Sequence, residues 1–332
     1  MKSVATPRDV LPAPLRVGDD IWVVHSPIPH GQLNHTLTYV LVDAEGILII
    51  DPGWDSAENL AALQASLAAI GARIEDVVRV VATHHHPDHL GLAAQVRELS
   101  GAEFVMGRAE AAVLEHQLDP ATRDRVDYQA TLEVWGVPPD QRENLLANFD
   151  RPSWLDAVTP DRTVEAGELL VHGSHELLVV ATPGHTGGHI CLVDRERGII
   201  YTGDHVLPQI HPGVGIGVLP GTEPLGDYLE SLVALEPYDD LLVLPGHEYT
   251  FHGLAQRREE LVRHHLRRTR EAAALLGGFP EATVWALAQR MTWTGGWESL
   301  QGFILHSALR QVEMHLDLVR SGRAEALLAL YS

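Results

Sequence analysis

Short apolar runs separated by turn residues predict a series of β-strands along most of this chain. Residues 38–43 and 47–50 are predicted to form a hairpin, and residues 77–82 and 103–106 two further strands. Helices are predicted between them, from about Asp55 to Ile70 and over residues 90–99 and 107–117. This alternation of strand and helix indicates an α/β domain.

The alternation stops over residues 118–160, where prolines separate short helical pieces that carry scattered apolar residues. We expect this segment to be a helical insertion. It fits two interpretations, a cap over a functional site or an addition that only packs on the surface. Strand patterns then resume at residues 169–171, 176–181, 190–193, 198–202 and 241–244.

Three helices are predicted after residue 250, over residues 251–276, 281–290 and 299–320. The sequence therefore predicts an α/β domain over residues 1–250, with the insertion at about 118–160, and a C-terminal helical module over residues 251–332.

Composition narrows the class of protein. The chain has 332 residues, of which 45% are hydrophobic, and a formal net charge of -21. No apolar run reaches 18 residues, the first residues lack an apolar signal-peptide core, and the single cysteine, Cys191, cannot form an internal disulfide. We expect a cytoplasmic protein that does not enter a membrane. The negative charge disfavours nucleic acid as a partner.

The motif THHHPDHLG, residues 83–91, follows a predicted strand and carries His84, His86, Asp88 and His89. His84 and His86 can point in one direction, whereas Asp88 and His89 lie further on, so one loop can serve two metals. Imidazole and carboxylate ligands suit zinc and its neighbours, and few thiolates are available for a closed structural site. Three more candidate ligands, each after a predicted strand, are His185, Asp204 and His247.

These seven residues, in this order, resemble the signature of the metallo-β-lactamase fold hydrolases, H-x-H-x-D-H followed by His, Asp and His. The resemblance covers about residues 20–250 and implies an αββα sandwich with two divalent metal ions, zinc first, with iron or manganese as alternatives. It implies that one metal takes His84, His86 and His185, that the other takes Asp88, His89 and His247, and that Asp204 bridges them. A hydroxide shared by the two metals would be the nucleophile.

Four residues are candidates for catalytic roles beyond metal binding. Asp88 and Asp204 would shape the hydroxide site, and Tyr249 or His205 would assist the leaving group. Thr83 and Thr182 are candidate hydrogen-bond partners of the ligands or plain capping residues. Six other histidines are expected to be ordinary core or surface residues: His85, His172, His175, His189, His211 and His252.

The motifs THHH and GHEYT resemble the glyoxalase II group, which cleaves glutathione thioesters, so a thioester or other ester-type carbonyl is the leading substrate class. The insertion departs from that group. Alternatives are an endoribonuclease or phosphodiesterase, a lactonase, and a catalytically inert binding module. We expect a small-molecule substrate, anionic in one interpretation, and leave open whether the chain forms a homo-oligomer.

The C-terminal segment resembles the winged-helix-like module found behind this fold in some members. Its first helix carries six arginines within residues 255–271. They are interpreted either as a solvated face paired with nearby glutamates, or as a cationic wall for an anionic substrate.

Overall fold

The computed structural model describes residues 11–29, 33–119, 125–149 and 158–330 of the chain. Twelve strands are present in these residues: β1 Leu15–Arg16, β2 Ile21–Pro27, β3 His35–Asp43, β4 Gly46–Ile50, β5 Val77–Ala82, β6 Glu103–Gly107, β7 Arg162–Val164, β8 Leu169–His172, β9 His175–Ala181, β10 Ile190–Asp194, β11 Ile199–Gly203 and β12 Leu242–Pro245. The helices in the same residues are α1 Ala57–Ala69, α2 Pro87–Leu90, α3 Ala93–Ser100, α4 Arg108–Leu118, α5 Arg125–Val134, α6 Pro139–Phe149, α7 Pro224–Ala234, α8 Leu254–Gly278, α9 Val284–Ala288, α10 Gly302–Arg320 and α11 Arg323–Leu330.

The strands form two sheets that pack face to face. The first sheet has the order β1-β2-β3-β4-β5-β6-β7, antiparallel up to β4 and parallel from β4 onward. The second has the order β12-β11-β10-β9-β8, in which only β11 and β12 are parallel. Each parallel neighbour in the first sheet is reached through a helix, as a parallel connection requires.

Strands buried on both faces explain the continuous apolar runs in the sequence. In β4, Leu48 and Ile50 pack between the sheets, while Ile47 and Ile49 pack under helices on the outer face. In β10, Leu192 faces the first sheet and Val193 faces the outer helices. Side chains alternate between the two faces of a strand, so each central strand contributes to two apolar layers.

Helices cover both outer faces and complete the predicted αββα sandwich. The first sheet is covered by α1, α3 and α4. The second is covered by α7 and also by α8, α10 and α11, which lie in the C-terminal segment. The predicted C-terminal helical module is present, and it also supplies an outer layer of the sandwich. Described residues 251–330 contain no strand of two or more residues, so the likeness to a winged helix is limited to its helices.

The insertion packs on the C-terminal helices. One apolar core contains Leu132, Trp135 and Leu145 of the insertion together with Leu309 and Val312 of α10. The Trp135 indole also donates a hydrogen bond of 2.8 Å to Glu313 Oε1. The contacts in this cluster are those of a packed helical layer. Residues 120–124 and 150–157 of the insertion lie outside the described residues.

Most predicted elements have about the expected extent. The helix predicted over residues 281–290 is shorter, Val284–Ala288, and a second difference lies near the first motif. The single helix predicted over residues 90–99 is two helices, α2 and α3, because the chain turns at Gly91 and Leu92. Residue 250, the predicted boundary, lies in the connection between β12 and α8, and the division into two domains stays a prediction. Within the described part of the chain, no helix has the length and apolarity needed to cross a membrane.

His315 provides a test of the packing between α8 and α10. Burial, together with the nearby Arg268 and His264, lowers the pKa of His315 from its ordinary 6.5 to about 3. His315 Nδ1 lies 2.9 Å from Thr269 Oγ1. On acidification the unfolded chain binds this proton near pH 6.5, whereas the folded chain resists it. His315→Asn should therefore reduce the loss of unfolding free energy between pH 7 and pH 5 by about 2 kcal/mol. Urea unfolding at the two pH values measures this difference.

The exposed residue His252 offers the matched control, His252→Asn. An equal effect of both substitutions would contradict the burial of His315 between α8 and α10 as the cause.

Candidate metal centre

The seven candidate ligands meet at one end of the sandwich. His84, His86, Asp88 and His89 follow β5, with the last two in the short helix α2 that begins at Pro87. His185, Asp204 and His247 follow β9, β11 and β12, which all run in the same direction in the second sheet. Loops that leave parallel strands lie at the same edge, so residues distant in sequence become neighbours.

The side chains form two adjacent groups. In the first, ligand atoms of His84, His86, His185 and Asp204 all lie within 4.8 Å of one another. In the second, the same limit holds for Asp88, His89 and His247. His86 and Asp88 are partly exposed and the other five are buried, so the centre opens to solvent on the side of those two residues.

Distances within the first group are short. His86 Nδ1 lies 2.9 Å from His84 Nε2 and 3.0 Å from His185 Nε2. In the second group, His89 Nε2 lies 3.3 Å from His247 Nε2. Ligand atoms around a tetrahedral zinc, each about 2.0 to 2.1 Å from the ion, stand roughly 3.3 Å apart. These separations therefore fit side chains that share a cation.

Asp204 lies between the two groups with one oxygen toward each. Its Oδ1 lies 3.2 Å from His247 Nε2 and 3.4 Å from His89 Nε2, whereas Oδ2 lies 3.6 Å from His185 Nε2. Oδ1 is buried and has no hydrogen-bond partner among the described residues. A buried carboxylate oxygen without a partner is costly unless a cation neutralises it. The position and chemistry of this carboxylate suit a bridging ligand.

The outer nitrogen of each candidate histidine is fixed by an oxygen. Three Nδ1 atoms donate: His185 to Gly213 O at 2.6 Å, His247 to His35 O at 3.0 Å and His89 to Asp51 Oδ2 at 2.9 Å. The donated hydrogen occupies Nδ1, so the inward Nε2 keeps a free lone pair. This arrangement is typical of histidines that bind metals.

In His84 and His86, too, an oxygen holds the ring nitrogen that faces away from the centre. Thr83 Oγ1 donates to Asp51 Oδ2, so it can accept from His84 Nδ1 at 3.0 Å. His86 is reversed, because its Nε2 donates to Ile216 O at 3.2 Å and its Nδ1 faces the first group. The expected role of Thr83 as a hydrogen-bond partner of a ligand is thus consistent with its contacts.

The pKa values of the histidines shift in opposite directions in the two groups. Burial lowers the pKa of His84 and His86 well below the ordinary value, and neighbouring imidazoles lower it further. Burial also opposes the charged form of His89 and His247, but Asp204 and other carboxylates outweigh it and raise the pKa of both. Burial opposes the charged form of Asp204 as well, but these two imidazoles outweigh it and hold the pKa of Asp204 well below its usual value. A divalent cation competes with protons for the same lone pairs.

Asp51 is a part of this arrangement that the sequence patterns did not single out. It is buried, with a backbone φ of 54°, and its carboxylate accepts from Thr83 N, Thr83 Oγ1 and His89 Nδ1 at 2.8 to 2.9 Å. One carboxylate thus orients His89 directly and His84 through Thr83. Asp tolerates the left-handed backbone better than most residues, so it can serve at this turn.

Glu110 of α4 is a second residue that sequence reasoning missed. It is fully buried, and Oε1 accepts from the backbone N–H and the ring of His85. Oε2 accepts from Thr186 Oγ1 at 2.9 Å and from Gly188 N at 2.8 Å. Glu110 therefore connects the loop that carries His84 and His86 to the loop that carries His185. Its partners are too distant in sequence to reveal the pairing.

The turn before His247 leaves no space for a side chain at Gly246. A Cβ atom there would lie 2.4 Å from Asp204 Oδ1 and 2.7 Å from His89 Cε1. Gly246 N also donates to Gly203 O, and Gly246 O accepts from Leu37 N, each at 2.7 Å. Glycine at this position lets the backbone pass directly behind the candidate ligands.

The loop of residues 205–223 links the centre to the C-terminal segment. It supplies Gly213 O and Ile216 O to two candidate ligands, as described above. Buried Arg257 of α8 donates to three carbonyl oxygens at its start, Leu207 O, Gln209 O and Ile210 O, at 2.6 to 3.0 Å. The first arginine of the arginine-rich helix therefore positions this loop.

The two candidates for leaving-group assistance occupy different environments. His205 is fully buried, its ring lies 4.8 Å from that of Tyr228, and neither ring nitrogen has a hydrogen-bond partner within the described ranges. Burial lowers the pKa of His205 to about 3. Tyr249 is 48% exposed, and its hydroxyl accepts from Gln209 Nε2 at 2.9 Å. Of these two residues, only Tyr249 is exposed to solvent.

The histidines expected to be ordinary residues lie outside both ligand groups. His85, His172, His175 and His189 are buried, and Thr182 hydrogen-bonds His189 Nδ1 at 2.8 Å. His211 and His252 are exposed. Thr182 therefore has no direct contact with a candidate ligand among the hydrogen bonds of the described chain.

Asp51→Asn tests the orientation of the ligands. The amide keeps the shape but loses the charge and one acceptor for His89 Nδ1. We expect zinc affinity to fall about 10- to 100-fold, as for other residues that orient metal ligands. Competition titration with a chelating indicator measures the affinity. The exposed residue Asp19 supplies the control, Asp19→Asn, and unchanged affinity in Asp51→Asn would remove this role.

Glu110→Gln tests the connection between the two loops. The amide cannot accept all four hydrogens that the carboxylate accepts, and it places an N–H against buried donors. We expect the unfolding free energy to fall by about 1 to 3 kcal/mol. Glu115→Gln on the exposed face of the same helix is the control. Chemical denaturation of both variants gives the comparison, and equal stability of both would contradict the connection.

Known proteins are similar to this chain in sequence. The model of the metallo-beta-lactamase superfamily matches residues 31–247. The chain is 29% identical to the probable metallo-hydrolase YqjP of Bacillus subtilis, over 69% of this chain and 72% of that protein. It is 29% identical to the hydroxyacylglutathione hydrolase GloC of Haemophilus influenzae, over 69% and 93%. It is 28% identical to the acyl-coenzyme A thioesterase MBLAC2 of Gallus gallus, over 68% and 80%.

The similarity extends to solved structures. A metallo-beta-lactamase family protein from Thermus thermophilus has a TM-score of 0.73 and 26% identity, covering 92% of this chain and 95% of that one. The resemblance inferred from the seven residues is therefore confirmed in both sequence and fold. Since the family match covers more than half of the chain and includes all seven candidate ligands, this protein belongs to the metallo-beta-lactamase superfamily.

Proposed function

We propose that the protein is a hydrolase with two divalent metal ions that cleaves thioesters or related carbonyl esters. The observation that carries the proposal is the position of Asp204, which turns one oxygen toward each of two ligand groups. His84, His86 and His185 would hold one ion, and Asp88, His89 and His247 the other. Nitrogen and oxygen donors favour zinc, with iron and manganese as alternatives.

Two cations at this position would supply a water molecule with a pKa lowered from about 15.7 toward 7, and charge to polarise a carbonyl. Asp88 is one of the two partly exposed members of the centre, and Thr36 Oγ1 lies 3.5 Å from its Oδ2. It can therefore orient a water at the open side. Tyr249 is accessible and can donate its hydroxyl proton to a leaving group. Burial excludes His205 from direct contact with a substrate, so the proposal gives it no role in proton transfer.

The sole thiol of the chain does not offer a competing nucleophile. Burial raises the pKa of Cys191 to about 12, although a hydrogen bond with Thr182 opposes this. A neutral, buried thiol is a poor nucleophile. Water activated at the metal centre is therefore the nucleophile that best fits the site.

Thioesters are the leading substrate class because two relatives that differ in source carry thioester names, a hydroxyacylglutathione hydrolase and an acyl-coenzyme A thioesterase. Lactones and phosphodiesters would use the same centre and remain alternatives. The net charge of -21 disfavours RNA. An inert binding module is the remaining alternative, and the complete set of seven ligands argues against it. The cytoplasmic location and a homo-oligomeric state stay predictions.

Asp204→Ala is the direct test of the centre. The substitution removes a negative charge between two groups, so we expect metal content to fall from about two ions per chain to one or fewer. The hydrolysis rate should fall by more than the roughly 10- to 100-fold that outer hydrogen-bond partners cost. Elemental analysis and a panel of acylthioester, lactone and phosphodiester substrates, each with zinc, manganese and iron, provide the measurements.

Asp240→Ala, at an exposed carboxylate, is the matched control. A variant of Asp204 that retains both metals and the full rate would contradict the bridging role. Loss of metal together with no activity toward any substrate in the wild-type panel would support the inert alternative.

A further inference from the structure

A cavity of about 640 Å³ lies in the C-terminal segment, apart from the metal centre. Its walls come from α8, from residues 292–300 and from α10. Ligand-binding pockets usually measure about 300 to 1,000 Å³. The volume is thus enough for a small organic molecule, and none of the seven metal-ligand candidates lines it.

Arg268 places an incompletely paired cation in the wall of this cavity. Only 9% of the residue is exposed, and its guanidinium carbon lies 4.4 Å from the ring centroid of Trp293. Nη1 donates to Thr292 O and to Glu271 Oε2, whereas Nη2 is buried without a hydrogen-bond partner in the described part of the chain. A buried N–H without an acceptor is destabilising, and an anion that draws the Arg268 guanidinium toward the cavity would supply one.

The residues that line the cavity carry a net positive charge. Arg267 and Arg268 contribute two positive charges and Glu271 one negative charge, which leaves +1. Glu271 is already engaged, because Oε1 accepts from Thr292 N and Thr292 Oγ1 while Oε2 accepts from Arg268. Burial lowers the pKa of His264 to about 4, so this residue is neutral at pH 7. A positive cavity is unexpected in a chain with a net charge of -21.

Three other arginines of α8 do not line the cavity and are paired elsewhere. Buried Arg257 donates to backbone carbonyls, as described above, and buried Arg258 forms a two-point pair with Asp239 at 2.6 and 2.7 Å. Exposed Arg263 pairs with Glu259 at 2.8 Å. The arginine-rich helix thus combines structural residues, a solvated pair and two arginines that line the cavity.

Apolar groups also line the cavity. Trp293, Leu300, Ile304 and Ala308 line it, and Ser307 adds a hydroxyl. An ion such as chloride or free phosphate would leave this apolar surface in contact with water. A ligand that carries an acid group and an apolar chain would satisfy both surfaces.

We propose that this cavity binds an amphipathic organic anion, with its carboxylate or phosphate on Arg267 and Arg268 and its apolar chain against Trp293 and Ile304. The site does not depend on hydrolysis. It adjoins the loop of residues 205–223, because the ring of His264 contacts the ring of His211, with centroids 3.9 Å apart. The ligand is either a free acid or the anionic end of a substrate.

Isothermal titration calorimetry with decanoate, decyl phosphate and decanol tests the cavity. We expect both anions to bind at least about tenfold more tightly than decanol, since they gain charge-assisted hydrogen bonds. Arg267→Met and Arg268→Met should each remove most of this preference. Arg263→Met, on the same helix but paired with Glu259, should leave it unchanged. Equal affinities for decanol and the two anions, or full anion affinity in both cavity variants, would overturn the proposal.

Arg268 also donates a hydrogen bond to Thr292 O, so its substitution could disturb the local fold. A second variant therefore tests the cavity without removing an arginine. Ser307→Trp should fill the cavity without a change of charge and abolish binding of all three probes, and retained binding would show that the probes bind elsewhere. Circular dichroism verifies the fold of each variant. A further assay distinguishes a free acid from the anionic end of a substrate as the ligand. In it, decanoate is added during hydrolysis of a thioester whose thiol part carries a negative charge. Competitive inhibition assigns the cavity to the substrate, and unchanged hydrolysis with measured binding assigns it to a free acid.

Discussion

The structure depends on the convergence of five imidazoles and two carboxylates whose lone pairs face one another in a largely buried space. Such a cluster would be unfavourable on its own, because buried polar groups require partners and like groups at short range repel. Cations would satisfy it, and the two groups with Asp204 between them fit our proposal of two ions. The outer nitrogens of all five histidines are held by oxygens, so the inward lone pairs are committed before a metal arrives. The centre is therefore organised by the protein.

The αββα sandwich provides this organisation through the edge at which several strands end. β5 of one sheet and β9, β11 and β12 of the other deliver their loops to the same place. Buried Asp51 and Glu110 then fix the loops relative to one another, each through one carboxylate that accepts several hydrogens. From the other side, Arg257 holds the loop of residues 205–223, which supplies carbonyls to two histidines. The C-terminal segment is thus connected to the chemistry of the centre as well as to the outer face of the second sheet.

The sequence was sufficient for the features whose signal is local. Strands with continuous apolar runs, and ligands placed directly after those strands, follow from short patterns and from the order of seven residues. Asp51 and Glu110 could not be assigned in this way, because their roles come from partners 25 to 78 positions away in the chain. The insertion was equally ambiguous, since its apolar residues pack against α8, α9 and α10, more than 100 residues later. Six arginines on one helix looked alike in sequence, yet burial and partners separate them into different roles.

Anomalous X-ray scattering at the zinc edge from crystals of zinc-loaded protein would show whether two cations share Asp204. We expect two peaks about 3.5 to 4 Å apart, one beside His84, His86 and His185 and the other beside Asp88, His89 and His247. The Asp204 carboxylate should lie between them with one oxygen on each. A single peak, or two peaks without a shared Asp204, would contradict this proposal.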